Sequence, residues 1–187
     1  MLNLDQQMYP NCPTVQRTIT IGGLSKSELI AKLQHCAIHT NAYGAILLHD
    51  DRFIVSAHVY TLQTVELTVA HLGFPDGATM ELIFQRAKQL GLQLCPLELA
   101  PYWRLLYLDQ PEDTHQDVRR NQAPSNSVTV ASEPLSEDDT FPKGFYLRRM
   151  NGELWLRAYC ADHLHCWSAW DRLIFVKPSE DGAATAE

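Results

Sequence analysis

Hydrophobic and polar residues alternate in two short runs on either side of Asn151-Gly152, within residues 144–159. Asn-Gly is a strong signal for a two-residue type I′ β-turn, because both residues accept positive φ angles. The turn predicts an antiparallel hairpin that starts with Met150 opposite Glu153 and continues residue by residue away from the turn. Side chains alternate between the two faces of a strand, so each face of the hairpin has its own composition.

The two faces of the predicted hairpin differ in chemistry. One is apolar and is expected to face the core, with Arg149 at its turn end; its other members are Phe145, Leu147, Leu154, Leu156 and Ala158. The other combines aromatic rings with guanidinium groups and is called the aromatic–arginine face below: Tyr146, Arg148, Trp155, Arg157 and Tyr159. Arginines beside aromatic rings can stack a planar ligand and bind an anionic group. The alternative is that these residues are only cross-strand pairs that stabilise a solvated sheet face.

Periodicity and residue type predict the remaining elements. Helical spacing predicts helices over residues 25–37, 41–48 and 79–90, the first beginning with a capping box at Ser25 and Glu28. β-branched and aromatic residues predict strands at 18–21, 53–62, 65–70, 102–109, 128–131 and 172–176. This order predicts an α+β fold: N-terminal helices and one central helix packed on a mainly antiparallel sheet that contains the C-terminal Asn-Gly hairpin.

The domain organisation follows from composition. Residues 18–178 are predicted to form a single α+β domain, which is long enough to bury a substantial core. Residues 1–17 are predicted to be an irregular leader and residues 179–187 a disordered tail. The polar stretch at about 110–127, QPEDTHQDVRRNQAPSNS, is predicted to be a flexible insertion.

Charge and cysteine content restrict the classes of function. The net charge of −7 argues against a dedicated duplex-DNA binder, which needs concentrated basic charge. No apolar run is as long as a membrane-spanning helix, and the N-terminus lacks the apolar segment of a signal peptide. The five cysteines are an odd number with irregular spacing, which is typical of reduced thiols. We therefore expect a cytoplasmic protein that binds neither duplex DNA nor membranes.

Other candidate chemistry is scattered along the sequence. The loop after the hairpin holds zinc-ligand types, namely Cys160, His163, His165 and Cys166, with Asp162 among them. No second ligand pair stands at finger or ribbon distance, so we expect no metal and no other cofactor, and keep this loop as the alternative. The carboxylates Glu66, Glu98 and Glu133 are isolated in sequence, although an acid–base pair needs two of them to converge. Cys95 is a possible nucleophile with His58 or His71 as base, but an apolar-flanked cysteine is more typical of a core.

Three blocks of the sequence carry a resemblance: residues 73–112, 128–135 and 141–159. They include FPDGAT, LCPLELAPYWRLLYLDQPE and FPKGFYLRRMNGELWLRAY. These blocks resemble those of a group of small stand-alone bacterial proteins that carry no assigned activity. The resemblance implies a bacterial, cytoplasmic, single-domain protein and implies no reaction. Relative to that pattern, the leader and residues 113–127 look like additions.

The preferred hypothesis is a non-catalytic binding module that recognises a protein partner or a small anionic ligand through the aromatic–arginine face. The alternative is a small enzyme acting on a nucleotide or other phosphate compound, with Glu98 or Glu66 as base and a metal at the loop 160–166. A deep pocket joining either carboxylate to the arginines would favour the enzyme, whereas an exposed face would favour the module. A structural subunit of a larger assembly would instead expose a broad apolar patch. The sequence leaves the oligomeric state open.

Overall fold

The computed structural model describes residues 8–112 and 123–178. Within these ranges the helices are α1 (Lys26–His35), α2 (Ala42–His49), α3 (Met80–Gln89) and α4 (Leu99–Leu106). The strands are β1 (Val15–Ile21), β2 (His39–Thr40), β3 (Tyr60–Thr68), β4 (Ala78–Thr79), β5 (Val128–Val130), β6 (Gly144–Met150), β7 (Glu153–Tyr159), β8 (Cys166–Trp167) and β9 (Arg172–Lys177). A 3-10 helix, Ala70–Leu72, follows β3.

Seven of these strands form one mixed sheet in the order β1-β3-β9-β5-β6-β7-β2. Strand β5 is parallel to β9 and β2 is parallel to β7, while the other neighbouring pairs are antiparallel. Strands β4 and β8 form a separate small antiparallel sheet. The prediction of an α+β fold is confirmed. The large sheet, predicted to be mainly antiparallel, is mixed because it includes two parallel pairs.

The large sheet separates two apolar cores, because consecutive residues of a strand point to opposite faces. On one side, Ile174 and Val176 of β9 pack in a cluster with residues of α1, α2 and α4. On the other side, Leu173 and Phe175 pack with residues of α3 and with Trp167 of the small sheet. The helices therefore form two outer layers around a central sheet.

Strands β6 and β7 place the aromatic–arginine face on the α3 side. Met150 lies opposite Glu153, and the pairing continues to Gly144 opposite Tyr159. The two residues between the strands, Asn151 and Gly152, have φ angles of 55° and 78°. The alternate residues that point to the other core are buried there: Phe145, Leu147, Leu156 and Ala158.

The predicted strand at 102–109 is wrong, because this segment lies mainly in helix α4. Pro101 stands in the first turn of that helix, where proline is tolerated since the amide there has no helical partner. The residues Leu99 to Arg104 are all buried. The helix is short and rich in aromatic and aliphatic residues, which are also typical of a buried strand, so residue type favours the wrong assignment.

Strand boundaries also differ from the prediction. The two strands predicted at 53–62 and 65–70 are replaced by the single strand β3, which runs through the polar residue Thr64. Thr64 is fully buried because its hydroxyl donates a hydrogen bond to the carbonyl of Arg17, at 2.9 Å. Strand β1 begins at Val15, three residues inside the predicted leader.

Both ends of the predicted insertion at about 110–127 belong to the folded domain. The Gln110 side chain is fully buried and donates hydrogen bonds to the carbonyls of Asn126 and Leu147, at 2.8 and 3.0 Å. The middle of the predicted insertion, 113–122, the first part of the predicted leader, 1–7, and the predicted tail, 179–187, lie outside the described residues.

Candidate functional site

The aromatic–arginine face is built by the pairing of β6 with β7. Tyr146 lies opposite Arg157 and Arg148 lies opposite Trp155, so their side chains share one side of the sheet. Four of the five members are half-buried, and Arg148 is buried with 9% of its surface exposed. The face is consequently a partly enclosed surface and not the fully solvated one that cross-strand pairs alone would give.

Arg157 is fixed by its two neighbours on this face. Its Nε donates a hydrogen bond to the hydroxyl oxygen of Tyr146 at 2.9 Å. Its guanidinium carbon lies 5.2 Å from the centre of the Trp155 ring, within the range of a cation–π interaction. No hydrogen bond joins the two Nη groups of Arg157 to the described part of the chain. Both Nη groups are therefore available to an acceptor from outside residues 8–112 and 123–178.

Trp155 connects the face to the edge of the sheet. The His39 ring of β2 lies 4.9 Å from the Trp155 ring with an angle of 30° between the planes. The His39 Nε2 also lies 3.7 Å from a carboxylate oxygen of Glu153, which is exposed near the turn. The indole Nε1 of Trp155 is buried and has no hydrogen-bond acceptor in the structure. The Trp155 indole N–H and the two Nη groups of Arg157 are thus donors without an acceptor among the described residues.

Tyr159 connects the face to a second feature, which we call the acidic cleft. The ring of Tyr159 packs edge-on against Trp167, with 5.2 Å between ring centres. A cleft of about 470 Å³ opens beside these two rings. Its acidic residues are Glu81, Glu133, Glu137, Asp139 and Asp162; its other lining residues include Met80, Phe84, Ser132, Pro134, Lys143, Ala161 and His163.

The predicted metal-ligand types do not come together. The Cys160 thiol donates to the carbonyl of Thr140 at 3.5 Å, and the Cys166 thiol lies 3.9 Å from the carbonyl of Trp167. The His163 ring pairs with Asp139 at 3.6 Å, while the His165 ring packs edge-on against Trp167. Among residues 8–112 and 123–178, no group of three or more His, Cys, Asp and Glu side chains is arranged to hold a metal ion.

The candidate bases lie elsewhere and already have partners. Glu98 accepts hydrogen bonds from the Ser56 amide and the Tyr60 hydroxyl, at 3.0 and 2.7 Å. Glu66 forms an ion pair with Arg172, whose Nε lies 3.1 Å away. Neither Glu66 nor Glu98 lines the acidic cleft, whereas Glu133 does.

The other candidate nucleophile and bases are also placed by the structure. The Cys95 thiol is buried and donates to the carbonyl of Ile174 at 3.2 Å, and burial raises the pKa of this thiol. His58 is exposed in the loop before β3. His71 is half-buried, where its Nδ1 accepts a hydrogen bond from the amide of Thr68, and burial lowers its pKa. A thiol with a raised pKa is a poor nucleophile, so Cys95 fits the core role.

Sequence reasoning missed the acidic cleft itself. Its walls come from α3, from the connection between β5 and β6, and from the loop between β7 and β8. These segments are distant in sequence, and only the packing of α3 and Trp167 on the sheet brings them together. The acidic residues between 133 and 139 are the signal that the sequence offers, and such a run is more typical of a polar connection between strands.

Compared with known proteins, the chain matches no family model, no curated protein and no solved structure. No helix within the described ranges combines the length and the apolar character needed to cross a membrane.

Proposed function

We propose that this protein is a non-catalytic binding module whose aromatic–arginine face recognises an anionic group, carried by a small molecule or by a protein partner. The observation that supports the proposal most is the state of Arg157, which is held by Tyr146 and Trp155 while its two Nη groups have no acceptor in the described chain. A guanidinium held in this way loses little side-chain entropy when it binds a carboxylate or phosphate.

The neighbouring residues fit a ligand that combines charge with a planar ring. The rings of Trp155 and Tyr146 stand beside the guanidinium and offer stacking area. The buried Trp155 Nε1 is a further donor without an acceptor. The carboxylates Glu66 and Glu98, which a catalytic role would need near the arginines, have partners of their own away from this face. A recognition role therefore needs fewer assumptions than a catalytic one.

A titration monitored by NMR tests the proposal. Inorganic phosphate, succinate and adenosine monophosphate are added in turn to about 10 mM, which saturates sites of millimolar affinity. We expect the Trp155 indole signal to shift with at least one of these anions. The Arg157→Gln variant should weaken that binding about tenfold or more, since a charge-assisted hydrogen-bonded pair is lost. The Arg157→Lys variant should recover only part of it, because lysine lacks the guanidinium fork.

The matched control is Arg17→Gln. Arg17 also lies over an aromatic ring, with its guanidinium carbon 4.9 Å from the centre of the Tyr107 ring, but it belongs to strand β1. Its replacement removes the same charge and should leave anion binding unchanged. If no anion shifts the Trp155 signal, or if Arg157→Gln and Arg17→Gln weaken binding equally, the aromatic–arginine face is not the binding site.

A further inference from the structure

The acidic cleft carries negative charge that is not paired within the described part of the chain. Four of its carboxylates are exposed: Glu81, Glu133, Glu137 and Asp162. Across residues 8–112 and 123–178, none of these four forms an ion pair. Carboxylates gathered around a concave surface with low-dielectric walls concentrate the electric field and attract cations.

The one lysine of the cleft does not balance this charge. The Nζ of Lys143 donates hydrogen bonds to the carbonyls of Ser136 and Asp138, both at 3.0 Å, and lies 3.9 Å from the carboxylate of Asp139. Its ammonium group is therefore used to close the turn before β6. The carboxylate of Asp139 also lies 3.6 Å from the His163 ring, so Lys143 and His163 are both paired with this one carboxylate.

The floor of the cleft is apolar and aromatic. Met80 and Phe84 of α3 line it together with Tyr159 and Trp167, and all four pack in one apolar cluster. Trp167 is 5% exposed. Aromatic rings pack against apolar groups, and the negative face of the ring also attracts cations. Such a floor under a rim of carboxylates suits a ligand with an apolar body and a positive charge.

Ser132 supplies an independent sign of a missing partner. It lines the cleft, the residue is 4% exposed, and its buried Oγ has no hydrogen-bond partner. Buried hydroxyl groups are normally hydrogen-bonded, so an unpaired one needs an explanation. A methyl carbon placed on Gly144 would lie 3.5 Å from this Oγ and 3.4 Å from the Tyr159 hydroxyl oxygen, so both hydroxyls lie next to this glycine. A ligand N–H group could donate to either oxygen there.

We propose that the acidic cleft binds a small organic ammonium ion, with a protonated amine near the carboxylates and Ser132 and an aliphatic or aromatic body on the Tyr159–Trp167 floor. This site is opposite in charge to the aromatic–arginine face and does not depend on Arg157. The two proposals therefore stand or fall on different variants. The cleft volume of about 470 Å³ is in the range of small-molecule sites.

Three probes of one shape separate the possible causes of binding: hexylamine, 1-hexanol and hexanoate. The readout is the indole signal of Trp167 in an NMR titration, with each probe taken to about 10 mM. We expect hexylamine to bind at least tenfold more tightly than 1-hexanol and hexanoate not to bind. If 1-hexanol binds as tightly as hexylamine, or if none of the three shifts the signal, the proposal is wrong.

Two sets of variants locate the binding. The Glu133→Gln/Glu137→Gln double variant should weaken hexylamine binding about tenfold. The control double variant Asp51→Asn/Asp109→Asn removes the same charge from exposed residues that do not line the cleft, and it should change binding less than twofold. Equal weakening in both would mean that the amine responds only to net charge, which overturns the proposed site.

The Ser132→Ala variant separates a loss of binding from a loss of stability. Removing a buried hydroxyl that has no partner should leave the melting temperature unchanged or raise it. The same change should weaken hexylamine binding severalfold, since the acceptor for the amine is lost. A variant that binds hexylamine as tightly as the parent protein would show that Ser132 takes no part in the site and would remove the support for an amine ligand.

Discussion

The side chain of Asn41 pairs with the backbone of Ala158 in both directions. Its Nδ2 donates to the Ala158 carbonyl, and its Oδ1 accepts from the Ala158 amide, each at 2.9 Å. The same Oδ1 accepts from the Gly44 amide at 2.9 Å, which caps the start of α2. One side chain thus continues the hydrogen bonding of β7 where β2 ends and attaches the helix to the sheet.

Replacing Asn41 should destabilise the fold. Asn41→Ala removes the helix cap and both bonds to Ala158, and we expect a loss of about 2–3 kcal/mol in the free energy of unfolding. Asn41→Asp keeps the oxygen acceptor but loses the donor, so its loss should be smaller. Urea denaturation of both variants measures the difference. Equal losses in the two would mean that the bonds accepted by the Asn41 Oδ1 contribute nothing.

Gln110 should be essential to stability although it lies in a polar stretch of sequence. Its Oε1 accepts from the guanidinium of Arg104, which is fully buried, and its Nε2 bonds two carbonyls. Burial lowers the pKa of Arg104 to about 10, which still leaves it charged at neutral pH. Gln110→Ala would leave this charge with fewer partners and should cost about 3 kcal/mol.

Gln85→Ala is the control for this loss. Gln85 is exposed on α3, where it donates a hydrogen bond to Glu81 at 3.2 Å, and an exposed bond of this kind contributes about 0.5 kcal/mol or less. The two variants are compared by urea denaturation under the same conditions. A Gln110→Ala protein as stable as Gln85→Ala would contradict the buried network.

Glu66 should make stability depend on pH. Burial, the main cause, raises the pKa of this carboxyl above its ordinary value of 4.5, and the nearby Arg172 and Arg17 oppose the shift. The folded state therefore binds the proton more tightly than the unfolded state does. This contribution is fully present below pH 4.5 and is lost as the pH rises through the raised pKa.

The Glu66→Gln variant isolates this effect, because glutamine resembles the protonated carboxyl. The free energy of unfolding of the parent protein minus that of the variant should fall as the pH is raised from about 4 to about 7. Urea denaturation at several pH values gives this difference. A difference that increases with pH would show that the ion pair with Arg172 outweighs burial.

Gly22 should tolerate no side chain. It has a φ of 85°, and a Cβ atom there would lie 2.1 Å from the carbonyl oxygen of His58. Gly91 has a similar φ of 76°, but no atom lies within 4 Å of its Cβ position. Gly91→Ala should cost about 1 kcal/mol for the backbone conformation alone, and Gly22→Ala should cost at least 2 kcal/mol more, roughly the cost of a severe steric clash. Similar losses in thermal unfolding would contradict the close approach to His58.

Local signals in the sequence define much of the fold. A two-residue turn at Asn151-Gly152 determines which residues of β6 and β7 face each other, and alternation then determines which share a face. Ser25 and Glu28 give α1 its start, because each bonds the backbone of the other, at 3.3 and 2.8 Å. Such signals act over a few residues, so the sequence displays them directly.

Features that depend on packing were not predictable in this way. Helix α4 has only eight residues, and a short apolar run of this length is not distinguished from a buried strand by its residue types. Thr64 looks like a break between strands in the sequence, and only the structure shows that its hydroxyl donates a hydrogen bond to the backbone carbonyl of Arg17. The acidic cleft needs α3 and the loop before β8 to lie side by side, and nothing local to either segment encodes that contact.

Strand β9 follows the other strands in sequence but lies in the middle of the large sheet, between β3 and β5. Its side chains alternate between the two cores, with Ile174 in one and Phe175 in the other. Neither core can close before the chain has brought β9 back between strands that precede it by dozens of residues. Loop closure of this kind is entropically unfavourable and slows folding. Because both helical layers pack on this one strand, we expect them to unfold together in a single transition.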